Sequence, residues 1–205
     1  MQATVDIGAV LRRGFDLYKE NVTTLLVATL LAAVISMVTV GILLGPMMAG
    51  LALVTLGLVD KRQPKPEIGE LFKGFDFFVP GLVFAILYFV AMMVGSFILG
   101  LTPLLAIILP SLYQLALSTF VMFTIYYIVD RKLEVVPAIQ ASVELVKSNF
   151  WIFLGLYIVA TFISLMGAVA CVIGVIVTAP MSGCMLAVTY RDLHPAGSSA
   201  APAAG

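Results

Sequence analysis

Charge is scarce in this chain. Its 205 residues carry eleven Lys or Arg and eleven Asp or Glu, 11% in all, where a soluble domain holds about a quarter. Hydrophobic residues make up 62%, more apolar surface than a water-soluble fold of this length can hide. A soluble globular domain is thereby excluded, and the bilayer is the solvent for most of the chain. Formal net charge is zero, so there is no basic excess for nucleic acid and no polybasic tail for anionic lipid. Histidine occurs once, as His194, and cysteine twice, as Cys171 and Cys184. Metal sites want clustered His, Cys or carboxylate, and no cluster exists, so no metal or cofactor is expected. Helix between the two cysteines would hold them about 20 Å apart, beyond disulfide reach, so they read as free thiols. A secretory signal is also missing: acids as well as bases precede an apolar segment too long for a signal core.

The gaps between charges organise the rest. No Asp, Glu, Lys or Arg occurs in 21–59, 77–129 or 148–190. One span needs about 20 apolar residues, so each block holds two. Six spans with uncharged turns place every charge, both termini and both long connections on one side. The positive-inside rule makes that side the cytoplasm. Phe72, Phe75, Tyr126, Tyr127, Trp151 and Tyr190 cluster at the same boundary, as an interfacial aromatic belt does.

A unit is written three times. VLRRGFDLYKENV (10–22) parallels ELFKGFDFFVPGL (70–82), and LYKENVTTLL (17–26) parallels LVKSNFWIFL (145–154). GILLGPMMAGLALVTLGLVDKR (41–62) parallels GVIVTAPMSGCMLAVTYRDL (174–193). The middle copy is looser, with Pro110 and a terminal Asp130-Arg131-Lys132. Each unit is a short amphipathic helix, a span, a tight turn and a returning span. Gly41 marks the first turn, and Pro46 lies near the start of a helix, where its missing N–H costs nothing. Gly100 and Gly167 mark the other turns.

Helical spacing defines three amphipathic faces: Val10, Leu11, Phe15 and Tyr18; Ile68, Leu71, Phe72 and Phe75, entered through Pro66; and Val136, Ile139, Val143, Val146 and Phe150. Each is expected to lie in the cytoplasmic interface. The predicted fold is all-α: an integral membrane domain over 1–193, with six helices as three hairpins in pseudo-threefold order (about 5–62, 66–132 and 134–193). The tail 194–205, HPAGSSAAPAAG, is expected to be disordered.

Candidate site residues are few. No membrane block contains an acid or base, which leaves a buried proton relay without members. The acids Asp16, Asp76 and Glu144, with Asp60, Asp130 and Asp192, could meet near an axis. They read first as partners of neighbouring cations, in interfacial pairs drawn from Asp60, Arg62, Asp130, Arg131, Arg191 and Asp192. Small residues recur every four positions: Gly41, Gly45 and Ala49; Gly174, Thr178 and Ser182; and, more loosely, Ala106, Pro110, Gln114 and Ser118. That spacing lets helices approach closely, so these positions read as glue along an inner seam or as a pathway within it. Gln114, with Ser111 and Ser118, forms one polar face that either bonds across the bundle or meets a polar ligand.

GFDLYKEN before a hairpin, VVPAIQASVELVKSN before another and the closing TAPMSGCMLAVTYRDL resemble a broad group of bacterial polytopic membrane proteins. The group includes the membrane domain of some glycerophosphodiester phosphodiesterases. The resemblance covers about residues 5 to 193 and implies an all-helical membrane domain without catalytic residues. These 205 residues are not expected to include a phosphodiesterase domain, so that activity is not carried over. The repeats are similar to those of mitochondrial carriers in number alone. The function expected is that of a non-catalytic inner-membrane protein that meets lipid, a protein partner or a second copy of itself. A transporter or channel for a neutral or lipid-like substrate is the alternative.

Overall fold

The computed structural model describes residues 6–101, 107–169 and 171–196. The elements are α1 Ile7–Glu20, α2 Val22–Val38, α3 Leu44–Val59, a 3₁₀ segment Ile68–Phe77, α4 Phe78–Gly100, α5 Ile108–Val121, α6 Thr124–Arg131, α7 Val135–Ser148, α8 Phe150–Val169 and α9 Cys171–Leu193. There is no strand among the described residues.

The matched LYKEN and LVKSN motifs set the two sharpest bends. Asn21 alone separates α1 from α2, which turn by 88°, and Asn149 alone separates α7 from α8, which turn by 106°. Each Asn leaves helical geometry and directs its own N–H back to a carbonyl of the preceding turn, Tyr18 O or Val146 O. Asp6 caps the start of α1 by accepting from the Gly8 and Ala9 amides at 2.9 and 3.2 Å, which satisfies two orphan donors. The apolar face of α1 is buried at Val10 but leaves Phe15 exposed.

The second copy differs. Its amphipathic segment winds as 3₁₀ helix and runs directly into α4. Here the segment lies hard against α3: a Cβ on Gly50 would fall on the Leu71 carbonyl, and one on Gly74 would fall on that of Pro46. Its return helix is also interrupted, at Met122 and Phe123, giving α5 and α6 in place of one continuous run. Ser142 on α7 mends the gap. Its hydroxyl donates to Phe120 O at 2.7 Å and accepts from the Phe123 amide at 3.3 Å.

Among the described residues, two helical runs are long and apolar enough to cross a membrane, Ile68–Gly100 and Ile108–Arg131, or up to four if each bent pair is one span. The sequence predicts six. The right-angle bends shorten the straight runs, and α3 has only 16 residues, below the roughly 20 that one span needs. Helix α4 exposes large apolar side chains: Phe89, Met93 and Phe97 are 63%, 58% and 70% accessible. Within the bundle α2 packs on α3, α4 on α5 and α8 on α9, while α3 also touches α6, α9 and the 3₁₀ segment. Gly167, expected at the third turn, lies inside α8. Residues 197–205 of the expected tail, and Ala106, lie outside the described residues.

Candidate functional site: a charged triad and a chargeless cavity

The returning helices α3, α6 and α9 finish side by side, which brings Asp60, Asp130 and Arg191 together. The guanidinium of Arg191 donates to Asp130 Oδ1 and Oδ2 at 2.9 and 3.2 Å and to Asp60 Oδ2 at 2.8 Å. Its Nε lies 2.8 Å from Asp60 Oδ1 but off the N–H line, so that contact is an ion pair without a hydrogen bond. The side chains of Arg191, Asp60 and Asp130 are only 12%, 19% and 22% exposed. One cation thus serves two carboxylates from two other helices, in the planar fork geometry that suits arginine and not lysine.

Aromatic rings surround this cluster. Tyr190 donates to Asp130 Oδ2 at 3.1 Å and packs among Phe123, Tyr126 and Tyr127. His194, expected in a loose tail, stacks on Tyr190 with centroids 5.0 Å apart and places Nε2 3.1 Å from the Tyr127 hydroxyl. The ordered chain therefore extends past Leu193, because the imidazole finds an aromatic seat. Burial, reinforced by the Arg131 charge, holds this imidazole below the ordinary histidine value of 6.5.

The other charged candidates lie apart from the triad. Asp192 forms a forked pair with Arg13 on α1, and Arg62 reaches Glu70 at 3.4 Å. Arg131 sits at the end of α6, and Asp16, Asp76 and Glu144 stay exposed. The structure thus brings two of these acids to one arginine and does not gather the acids into a cluster.

The small-residue candidates divide in the same way. Gly45 is packing glue: a Cβ there would collide with the Gly81 carbonyl of α4. Ala49 is fully buried in the core. Gly41 is not part of the seam. It stands in the α2–α3 turn with a φ of 82° and nothing near its missing Cβ, a conformation glycine adopts without strain. Pro110 lies in the first turn of α5. Ser118 is buried and 2.8 Å from the Tyr88 hydroxyl of α4, whereas Ser111 and Gln114 are exposed, so the expected polar face splits. Gly174 lies within α9, with surroundings outside the described residues. Thr178 donates to Ser164 O at 3.4 Å, and Ser182 to Ala179 O at 2.7 Å.

Between α2, α3, α6 and α9 lies a cavity of about 230 Å³, lined by Thr29, Met48, Thr55, Tyr126, Pro180, Ser182 and their apolar neighbours. It holds no charged residue. Most of its hydroxyls are spent internally: Thr55 donates to Leu51 O at 2.9 Å, and Tyr126 to Gly183 O at 3.1 Å. Thr29 is the exception, 8% exposed with its Oγ1 buried and unpartnered. An orphan hydroxyl in an apolar cavity suits an uncharged ligand with one polar group. Thr29 is where sequence reasoning fell short, since a Thr in an apolar run gives no signal of whether its hydroxyl is used. Among the described residues no group of three His, Cys, Asp or Glu is placed to hold a metal. Comparison with known protein families, curated proteins and solved structures finds no match to this chain.

Proposed function

We propose that the chain is a non-catalytic, multi-pass protein of the bacterial inner membrane that interacts with lipid. In this reading six transmembrane helices form three hairpins in pseudo-threefold order, with both termini cytoplasmic, and the exposed α4 face is open to lipid, a protein partner or a second copy. The resemblance to the bacterial group that includes phosphodiesterase membrane domains belongs to the same proposal. The observation that carries it is the pair of right-angle bends at Asn21 and Asn149. They turn amphipathic α1 and α7 away from apolar α2 and α8, as helices in the headgroup plane require. Purification in mild detergent followed by lipid extraction tests it. Enrichment of one lipid class over the bulk membrane is expected; a bulk-like composition with no co-purifying protein would sink the proposal.

The central cavity favours a second reading, passage of a neutral or lipid-like substrate. The support is Thr29, a residue that lines this chargeless chamber together with Pro180 and whose hydroxyl has no partner. Proteoliposomes would then show flux of a neutral solute or lipid that Thr29→Val reduces. No flux of any such solute would remove this reading.

A further inference from the structure

A second cavity, of about 370 Å³, lies beneath the α1–α2 elbow. Its polar lining comes from Glu20 and Asn21 at the bend and from Lys61, Arg62, Gln63 and Lys65 in the connection after α3. Three cations face one carboxylate. Arg62 is partly engaged by Glu70 at 3.4 Å, whereas Lys61, Lys65 and Glu20 form no ion pair among the described residues.

Asn21 is the buried element of the site. It is 6% exposed. Its Nδ2 donates to Leu17 O at 2.8 Å, which fixes the amide orientation. That leaves Oδ1 buried with no donor. An orphan acceptor of this kind is costly unless a donor arrives. The neighbouring Glu20 carboxylate asks for the same thing, a positive or N–H-bearing group. Lysines and an arginine a few residues away ask for an anion. Glycine at position 57 keeps the cavity open, since a Cβ there would lie 2.7 Å from Pro66 Cγ and 3.4 Å from Arg62 Cζ.

We infer that this elbow cavity binds the phosphate ester of an amino alcohol, the headgroup of phosphatidylethanolamine. The phosphate lies toward Lys61, Arg62 and Lys65, and the ammonium lies between Glu20 and Asn21 Oδ1. The inference rests on the lipid-binding reading above and names its site and class. The elbow is where an amphipathic helix meets an apolar one, the junction that an interfacial helix places at the headgroups.

Native mass spectrometry of the full chain, titrated with defined lipids, tests it. Phosphatidylethanolamine and phosphatidylcholine carry the same charge and differ in N–H donors. The first should bind about tenfold more tightly, the scale of one charged hydrogen bond. Glu20→Gln, an exposed change that leaves the elbow backbone alone, should erase that preference. Lys61→Gln with Lys65→Gln should weaken binding about tenfold, whereas Lys132→Gln with Lys147→Gln, which removes the same charge elsewhere, should not. Asn21→Ala should reproduce the Glu20→Gln result in whatever fraction folds. Equal affinity for the two lipids, tighter binding of phosphatidylglycerol, or equal loss in the control pair would overturn the site. Competition by soluble phosphoethanolamine at matching affinity would overturn the lipid source. Lipid enrichment that none of these variants alters would sink this site and spare the lipid-binding reading; absence of any enriched lipid would sink that reading itself.

Discussion

Arg191 shows how much one side chain can hold. Asp60 and Asp130 end two different helices, and both turn their carboxylates to a single guanidinium that is 12% exposed. Removing one partner of a buried ion pair costs more than the pair itself contributes, because the remaining charges stay buried and uncompensated. Arg191→Met should therefore destabilise the folded state by about 3–5 kcal/mol, read as loss of monodisperse protein on heating in detergent. Adding Asp60→Asn and Asp130→Asn to Arg191→Met should recover much of that loss. Failure to recover would mean that packing on Tyr190, and not charge, is what the arginine supplies.

At the scale of elements, the interrupted return helix of the second copy is the telling case. An α-helix broken in an apolar setting leaves an N–H and a carbonyl without water to satisfy them. Ser142 supplies both contacts from the neighbouring α7. Ser142→Ala should cost about 1–3 kcal/mol, while Ser148→Ala, whose exposed hydroxyl donates to Leu145 O at 2.7 Å and accepts from the Asn149 side-chain amide at only 3.5 Å, should be close to neutral. Thermal unfolding of the two variants side by side decides it, and equal midpoints would remove the bridging role. The glycine contacts teach a related lesson. Gly45 is required by the backbone of α4 at Gly81, so a stripe that reads as four-residue spacing is really one crossing point, with Gly41 serving a turn instead.

For the whole molecule, orientation is the outstanding quantity. In a background of Cys171→Ala and Cys184→Ala, single cysteines at Val40, Lys61 and Lys132 report the side of each connection. Val40 is 90% exposed in the α2–α3 turn. A membrane-impermeant maleimide added to spheroplasts should modify Val40→Cys, and should reach Lys61→Cys and Lys132→Cys only after lysis. Labelling of all three from one side would overturn the hairpin layout. The apolar helices were legible beforehand, marked by the charge-free blocks, because a cost as large as placing charge in hydrocarbon leaves its trace in composition; the LYKEN and LVKSN matches read only as a repeat, and the sharp bends at their asparagines came from the structure. The site was less legible. Asp60, Asp130 and Arg191 stand out as terminal charges, yet nothing in their spacing says that one arginine serves both acids while Asp192 turns to Arg13. The free hydroxyl of Thr29 and the orphan carbonyl oxygen of Asn21 had no signature at all. Solvent preference acts on each residue separately and can be read along a line, whereas hydrogen-bond partners are chosen by which helices happen to end side by side, and that choice exists only once the chain has packed.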